Sequence, residues 1–254
     1  MVRMDRTGQD DAGNNDVRPV LRVSDIGDDA VLTTAVRPVG RTSPERSMVA
    51  ILAQLSLGSV AAFAMVTVVL QWLREDLDWQ RAPLSLYLSG AHGCYLQSGY
   101  FVLAVALVAL GFSYYRALPA HARSAAPLLL FAVSGVALVV TAVAESNLPG
   151  QAPTFAGWVH GVAAQAAFLC VTTAMLLQSW RLRGDAMWRG RFLPAFTLAV
   201  VAFLALWTLA LWRDAPRGLV QKGVIALVLA WLWMAAWWLR RGVPQPAARP
   251  GGPV

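Results

Sequence analysis

The stretch GWVHGVAAQAAFLCVTTAMLLQ, residues 157–178, runs through its whole length with no acid and no Lys or Arg. At about 1.5 Å of rise per helical residue, such a run covers the roughly 30 Å hydrocarbon core of a bilayer. Only a helix satisfies every backbone N–H and C=O within a single segment there. Five further segments have the same character: 48–73, 93–115, 126–144, 192–212 and 220–239, none containing Asp or Glu. Polar connections separate them. A helix in a soluble core is apolar along one stripe, and six helices apolar all round would leave no amphipathic partners to cover them. The fold expected is therefore all-α: a polytopic membrane protein with a six-helix transmembrane bundle over 48–239.

Composition agrees. Of 254 residues, 57% are hydrophobic and 14% charged, where soluble domains carry about a quarter charged residues. The net charge of +7 raises the question of nucleic acid, but its distribution answers it. Residues 1–47 carry seven Arg against eight Asp or Glu, so the excess of cations sits among the apolar segments. No basic run is interleaved with aromatics, and a nucleic-acid partner is set aside.

Cations in short loops resist translocation. Twelve fall on one side of the six spans: Arg37, Arg41, Arg46, Arg116, Arg123, Arg181, Arg183, Arg189, Arg191, Arg240, Arg241 and Arg249. The other side has five, Arg74, Arg81, Arg213, Arg217 and Lys222. Both termini are expected in the cytoplasm, with the protein in the cell (inner) membrane. Trp72, Trp79, Trp158 and Trp212 fall at the outer helix ends, and Trp180, Trp188, Trp237 and Trp238 at the inner ends. That is the placement of an interfacial belt.

Residues 1–47 are polar and lack hydrophobic periodicity, as a disordered cytoplasmic arm should, and residues 240–254 form a cytoplasmic tail. The arm has no stretch of signal-peptide character, so the first span is expected to act as an uncleaved anchor. Cys94 and Cys170 are the only thiols, and they lie about 15 Å apart in depth. A disulfide needs Cα atoms within about 7 Å, so none is expected.

The chemistry-bearing side chains gather on the outer side. Glu75, Asp76 and Asp78 precede Leu84-Ser85-Leu86-Tyr87 and His92; Glu145-Ser146-Asn147 leads through Gly157 to His160 in the fourth span. Histidine with carboxylate suits metal binding or proton transfer. The plainer reading is a set of solvated loop acids and a His160 bonded to a neighbouring carbonyl. At 100° per residue, Gly157, His160, Gly161, Ala164, Phe168 and Thr172 share one stripe of the fourth span. Gly157 and Gly161 form a GxxxG pair, which with Ala164 suits close approach of another helix. Gln54, Gln97 and Gln165 are expected to bond across helices.

Several chemistries lose ground on the inventory. Two haems need four axial ligands, and only His92 and His160 lie near one face, with His121 opposite. No span carries the carboxylate usual in proton- or ion-coupled transporters, and no nucleotide motif is present.

The order Leu84-Ser85-Leu86-Tyr87, then Leu148-Pro149-Gly150, then His160-Gly161 resembles the bacterial membrane-protein family known as domain of unknown function 998 (DUF998). The resemblance covers about 48–239 and implies a six-helix bundle. His160 matches that family's histidine after the turn. Where the family has a Phe-Pro-Thr-Asp-like run, this chain reads Ala144-Glu145-Ser146-Asn147, so the acid is replaced by Asn147. The family brings no established activity.

The expected function is a non-enzymatic membrane component that binds a lipid, a small ligand or a partner protein at a polar outer vestibule. His160, His92, Glu145, Asn147 and Tyr87 are the candidate residues. The bilayer is the expected partner, together with a second copy or another membrane protein. No cofactor and no metal are expected. The alternative is a membrane-embedded enzyme, either a metal-assisted hydrolase or a single-haem redox protein, using His92 and His160.

Overall fold

The computed structural model describes residues 44–147, 150, 152–212 and 214–242. Six helices make up the described chain: α1 Pro44–Leu73, α2 Gly93–Ala117, α3 Ala125–Val143, α4 Phe155–Leu182, α5 Phe192–Leu211 and α6 Arg217–Arg240. Short 3₁₀ helices cover Leu84–Leu88 and Arg189–Arg191, and no strand occurs among the described residues. All six long helices are apolar and long enough to cross a bilayer. The chain is a multi-pass membrane protein.

Local chemistry explains the limits. The Ser124 hydroxyl accepts from the Ala126 N–H at the start of α3, and Thr154 accepts from Gly157 N at 3.0 Å at the start of α4. These caps satisfy donors that the first turn leaves free. α1 begins at Pro44, not at Met48 as the hydropathy suggests, because a helix does not stop where lipid does. Residues 44–47 thus belong to the first helix. The rest of the expected arm, the tail beyond Gly242, and Leu148 and Pro149 of the Leu-Pro-Gly turn lie outside the described residues.

Each helix packs against the next, and α6 returns to α1, so the six close into a ring with α2 also touching α6 across it. Short connections make successive helices antiparallel. One end, called distal here, gathers the connections 74–92, 144–154 and 212–216; the proximal end has Pro44, the connections 118–124 and 183–191, and Arg241. Hydrogen bonds to carbonyls staple neighbours together. Ser56 Oγ donates to Ala106 O at 3.3 Å, Gln97 Nε2 to Ala142 O at 2.9 Å and Ser134 Oγ to Ala167 O at 2.9 Å. The Tyr114 hydroxyl donates to Ala235 O at 3.0 Å. Of the three amides expected to bridge helices, Gln97 does so, whereas Gln54 and Gln165 bond to no described residue.

The proximal half is tightly filled. Trp231 is buried and donates to both Ser179 Oγ and Ala195 O. Trp188, expected in the interfacial belt, is also buried, edge-on to Tyr114 with ring centroids 5.6 Å apart. Trp72, Trp79, Trp158 and Trp212 are exposed at the distal end. α5 is the loosest element: it buries only Ala195, Ala199 and Ala202, all in its proximal half. Its distal turns hold no buried residue, and Leu211 is 74% exposed. Cys94 and Cys170 are both free thiols.

Candidate functional site

Where α5 loosens, the ring encloses a cavity of about 510 Å³. Its rim carries Pro83, Ser85, Arg217 and Gln221, and its walls run down to Leu107, Val171 and Leu232. Leu103, Leu138, Phe168, Ile225 and Val228 make most of it apolar. This is the usual make-up of a small-molecule site, which spans roughly 300–1,000 Å³ with a few placed polar groups among apolar walls.

His160 supplies one polar group. It is 6% exposed, and its Nδ1 lies 2.9 Å from Ala144 O. A carbonyl only accepts, so Nδ1 carries the hydrogen, and in the neutral ring Nε2 keeps a lone pair. Gly161, Ala164, Gln165 and Phe168 line the cavity with it, so the α4 stripe identified in the sequence is its wall. A Cβ on Gly161 meets nothing within 4 Å. Gly157 faces a different neighbour: a Cβ there falls inside the side-chain amide of Asn147. Among the described residues, no second helix comes within 4 Å of a Cβ at Gly161.

Asn147 has a defined task. Its Oδ1 accepts from Thr154 N at 3.0 Å and Thr154 Oγ1 at 2.9 Å, while Thr154 caps α4 through Gly157 N. The side chain thus joins the chain after α3 to the start of α4. A carboxylate oxygen accepts the same bonds, so Asn in place of the acid preserves this function. Glu145 is exposed on the same connection.

The first distal connection is a strap over the cavity mouth. Its organiser is Arg74, 8% exposed, which sequence reasoning left as a loop cation. Its Nε and Nη2 donate to Asp76 at 2.7 and 2.8 Å, and its Nη1 donates to Ser89 O at 2.7 Å. Gly90, at φ +81°, sits against the guanidinium, a conformation open to glycine and strained for other residues. The bidentate pairing holds the Asp76 carboxyl below the usual carboxylate range and raises the Arg74 guanidinium. Tyr87 is fully buried and its hydroxyl has no hydrogen-bond partner. Burial pushes its phenol up, with Arg74 pulling the other way.

The strap docks on the start of α6. Gln221 Oε1 accepts from Leu84 N at 2.7 Å, Leu219 N donates to Gln80 O at 2.8 Å, and Lys222 Nζ donates to Trp79 O at 2.5 Å. Lys222 also lies 5.1 Å from the Tyr87 ring centroid. Gly218 allows this contact, since a Cβ there would lie 2.5 Å from Ala82 O. The adjacency of Arg74 and Asp76 is a visible signal in the sequence. Contacts between residues about 140 positions apart leave none.

The candidate residues therefore separate. His160 lines the cavity, Tyr87 is buried in the strap, Asn147 holds the Thr154 cap, and Glu145 is exposed. His92 is exposed at the start of α2 with φ +66°, its ring stacked on Tyr95. Among the described residues, no group of three or more His, Cys, Asp and Glu is placed to hold a metal ion. The triad that a hydrolase built on His92, His160 and a carboxylate would need does not converge.

The ring of apolar helices around an interior cavity defines a multi-pass membrane protein. The chain belongs to the family described as protein of unknown function (DUF998), which matches residues 57–238. No curated protein and no solved structure matches it significantly.

Proposed function

We propose that this protein is a membrane component that binds an amphipathic small molecule inside its helical ring. The observation that carries this reading is the 510 Å³ cavity, apolar along its walls and polar at the distal rim. An apolar space of this size left unfilled forfeits dispersion contacts, which an occupant of matching shape restores. The polar groups are placed for orientation rather than reaction. His160 offers a fixed Nε2 to a ligand donor, and Gln221, with its Oε1 held by Leu84 N, leaves its amide N–H groups for a ligand acceptor. The distribution of cations, twelve against five, supports cytoplasmic termini and a cavity mouth on the outer face.

Native mass spectrometry of the purified full chain tests the reading. The wild type is expected to retain a small molecule, and Ala164→Phe, which fills the cavity, to lose it. Equal retention by both sinks the proposal.

A further inference from the structure

The shape of the cavity narrows the ligand further, on the footing of the reading above. From Arg217 at the rim to Leu232 at the floor, the cavity follows fifteen residues of α6, a depth of about 22 Å at 1.5 Å per residue. A volume of about 510 Å³ drawn out over that depth is an elongated slot rather than a round chamber, a shape that suits an extended hydrocarbon chain. At roughly 30 Å³ for a group the size of a water molecule, it holds about seventeen of them, the content of one long chain.

Two polar features lie at its open sides. Arg217, at the rim, is exposed and makes no hydrogen bond or ion pair with any described residue. Gln165 lines the slot about 15 Å from the start of α4, is exposed within a membrane span, and is likewise without a partner among the described residues. An unsatisfied amide at that depth is costly against lipid. Ala210, at the distal end of α5, is also exposed and lines the slot, which is therefore partly open on the side of α4 and α5 as well as at the rim.

We infer that the slot holds one chain of an anionic bilayer lipid, with the anionic headgroup at Arg217 and Gln221. The membrane supplies the ligand through the open side of the slot, whose apolar walls suit a hydrocarbon chain. Arg217 provides the charge preference because no acid of the described chain neutralises it.

The full chain is reconstituted in vesicles of equal parts phosphatidylglycerol and phosphatidylcholine, extracted, and weighed by native mass spectrometry. The expected result is one retained lipid per chain, with phosphatidylglycerol favoured about fivefold, the effect of one cation near a membrane surface. Arg217→Gln brings the preference to parity without lowering total retention. Ala164→Phe removes the lipid, and Gly161→Leu, which builds into open space, does the same should the first variant not fold. Retention of lipid by wild type with no headgroup preference, or an unchanged preference in Arg217→Gln, overturns the anionic assignment and leaves the cavity reading standing. Full retention in a folded cavity-filling variant overturns both. Inorganic phosphate alone is expected to give no retained adduct; an adduct lost in Arg217→Gln would show a headgroup site without a chain slot and overturn the inference.

Discussion

Gly157 and Gly161 are one turn apart on α4, and the structure gives opposite outcomes for the same substitution at each. A methyl group at Gly157 falls on the Asn147 amide, which must withdraw and release Thr154 N and Thr154 Oγ1. Loosening the Thr154 cap that these two bonds hold costs at most what a lost N-terminal cap does, about 0.5–2 kcal/mol. Forcing a side chain into filled space costs roughly 1–3 kcal/mol more. Alanine regains about 1 kcal/mol of helix propensity, so the net loss is about 0.5–4 kcal/mol. At Gly161 the methyl meets nothing, and only the propensity gain of up to about 1 kcal/mol remains. For a chain of this size each kcal/mol moves the melting temperature by about 2–4 °C. Thermal unfolding of both variants in the same detergent should therefore show Gly157→Ala several degrees below wild type and Gly161→Ala slightly above it. Asn147→Asp should melt close to wild type, because it keeps the acceptor, and a negative charge at a helix start is favourable. Refutation is direct: a fall in Gly161→Ala means that the space beside it is filled, by a ligand of the cavity or by another copy of the chain through the GxxxG pair. No change in Gly157→Ala means that Asn147 does not seat there.

Three other outcomes follow from the strap. Asp76 has its carboxyl held low by Arg74, so its stabilising contribution is present above the ordinary carboxylate pKa of about 3.9 and fades as pH falls through its lowered native value. Asp76→Asn should lower the melting temperature at pH 6, with the gap to wild type closing only below about pH 4; a gap unchanged at pH 2 would contradict the pairing. Tyr87→Phe removes a buried hydroxyl that bonds to nothing, a group whose burial costs about 1–3 kcal/mol. It should melt at or above the wild-type temperature, and a clear drop would reveal a partner for the hydroxyl. Gly218→Ala drives a methyl to 2.5 Å from Ala82 O and should release the strap from α6, read as faster hydrogen exchange at Leu84 and Leu219. Unaltered protection there would show that the strap does not depend on this contact.

Periodicity, or rather its lack, was legible in the residues themselves. The absence of acids over six runs of about 20 residues is a property of each segment alone, since lipid demands the same of every spanning helix whatever its neighbours. The six spans therefore emerged within a few residues of their observed limits, and even the stripe bearing His160, Gly161, Ala164 and Phe168 was visible from 100° rotations. The same stripe could not announce what it faces. That depends on how closely α5 packs beyond Ala202, its last buried residue, against neighbours distant in sequence.

Loops behaved differently again. Arg74, Tyr87, Gln221 and Gly218 read separately as a flanking cation, an aromatic, an amide and a spacer, yet they build one structure because the ring brings α6 back beside α1. Trp188 has the composition of a belt residue and is core, because Tyr114 lies edge-on to it at the proximal end. The sequence by itself determined that the chain lives in a membrane, how often it crosses, and how few ionisable groups it takes there, all consequences of one-body solvation. Only the tertiary structure decided where empty space remains, which side chains border it and which merely cap a helix. Those are properties of pairs and larger groups of residues, set by closure of the ring.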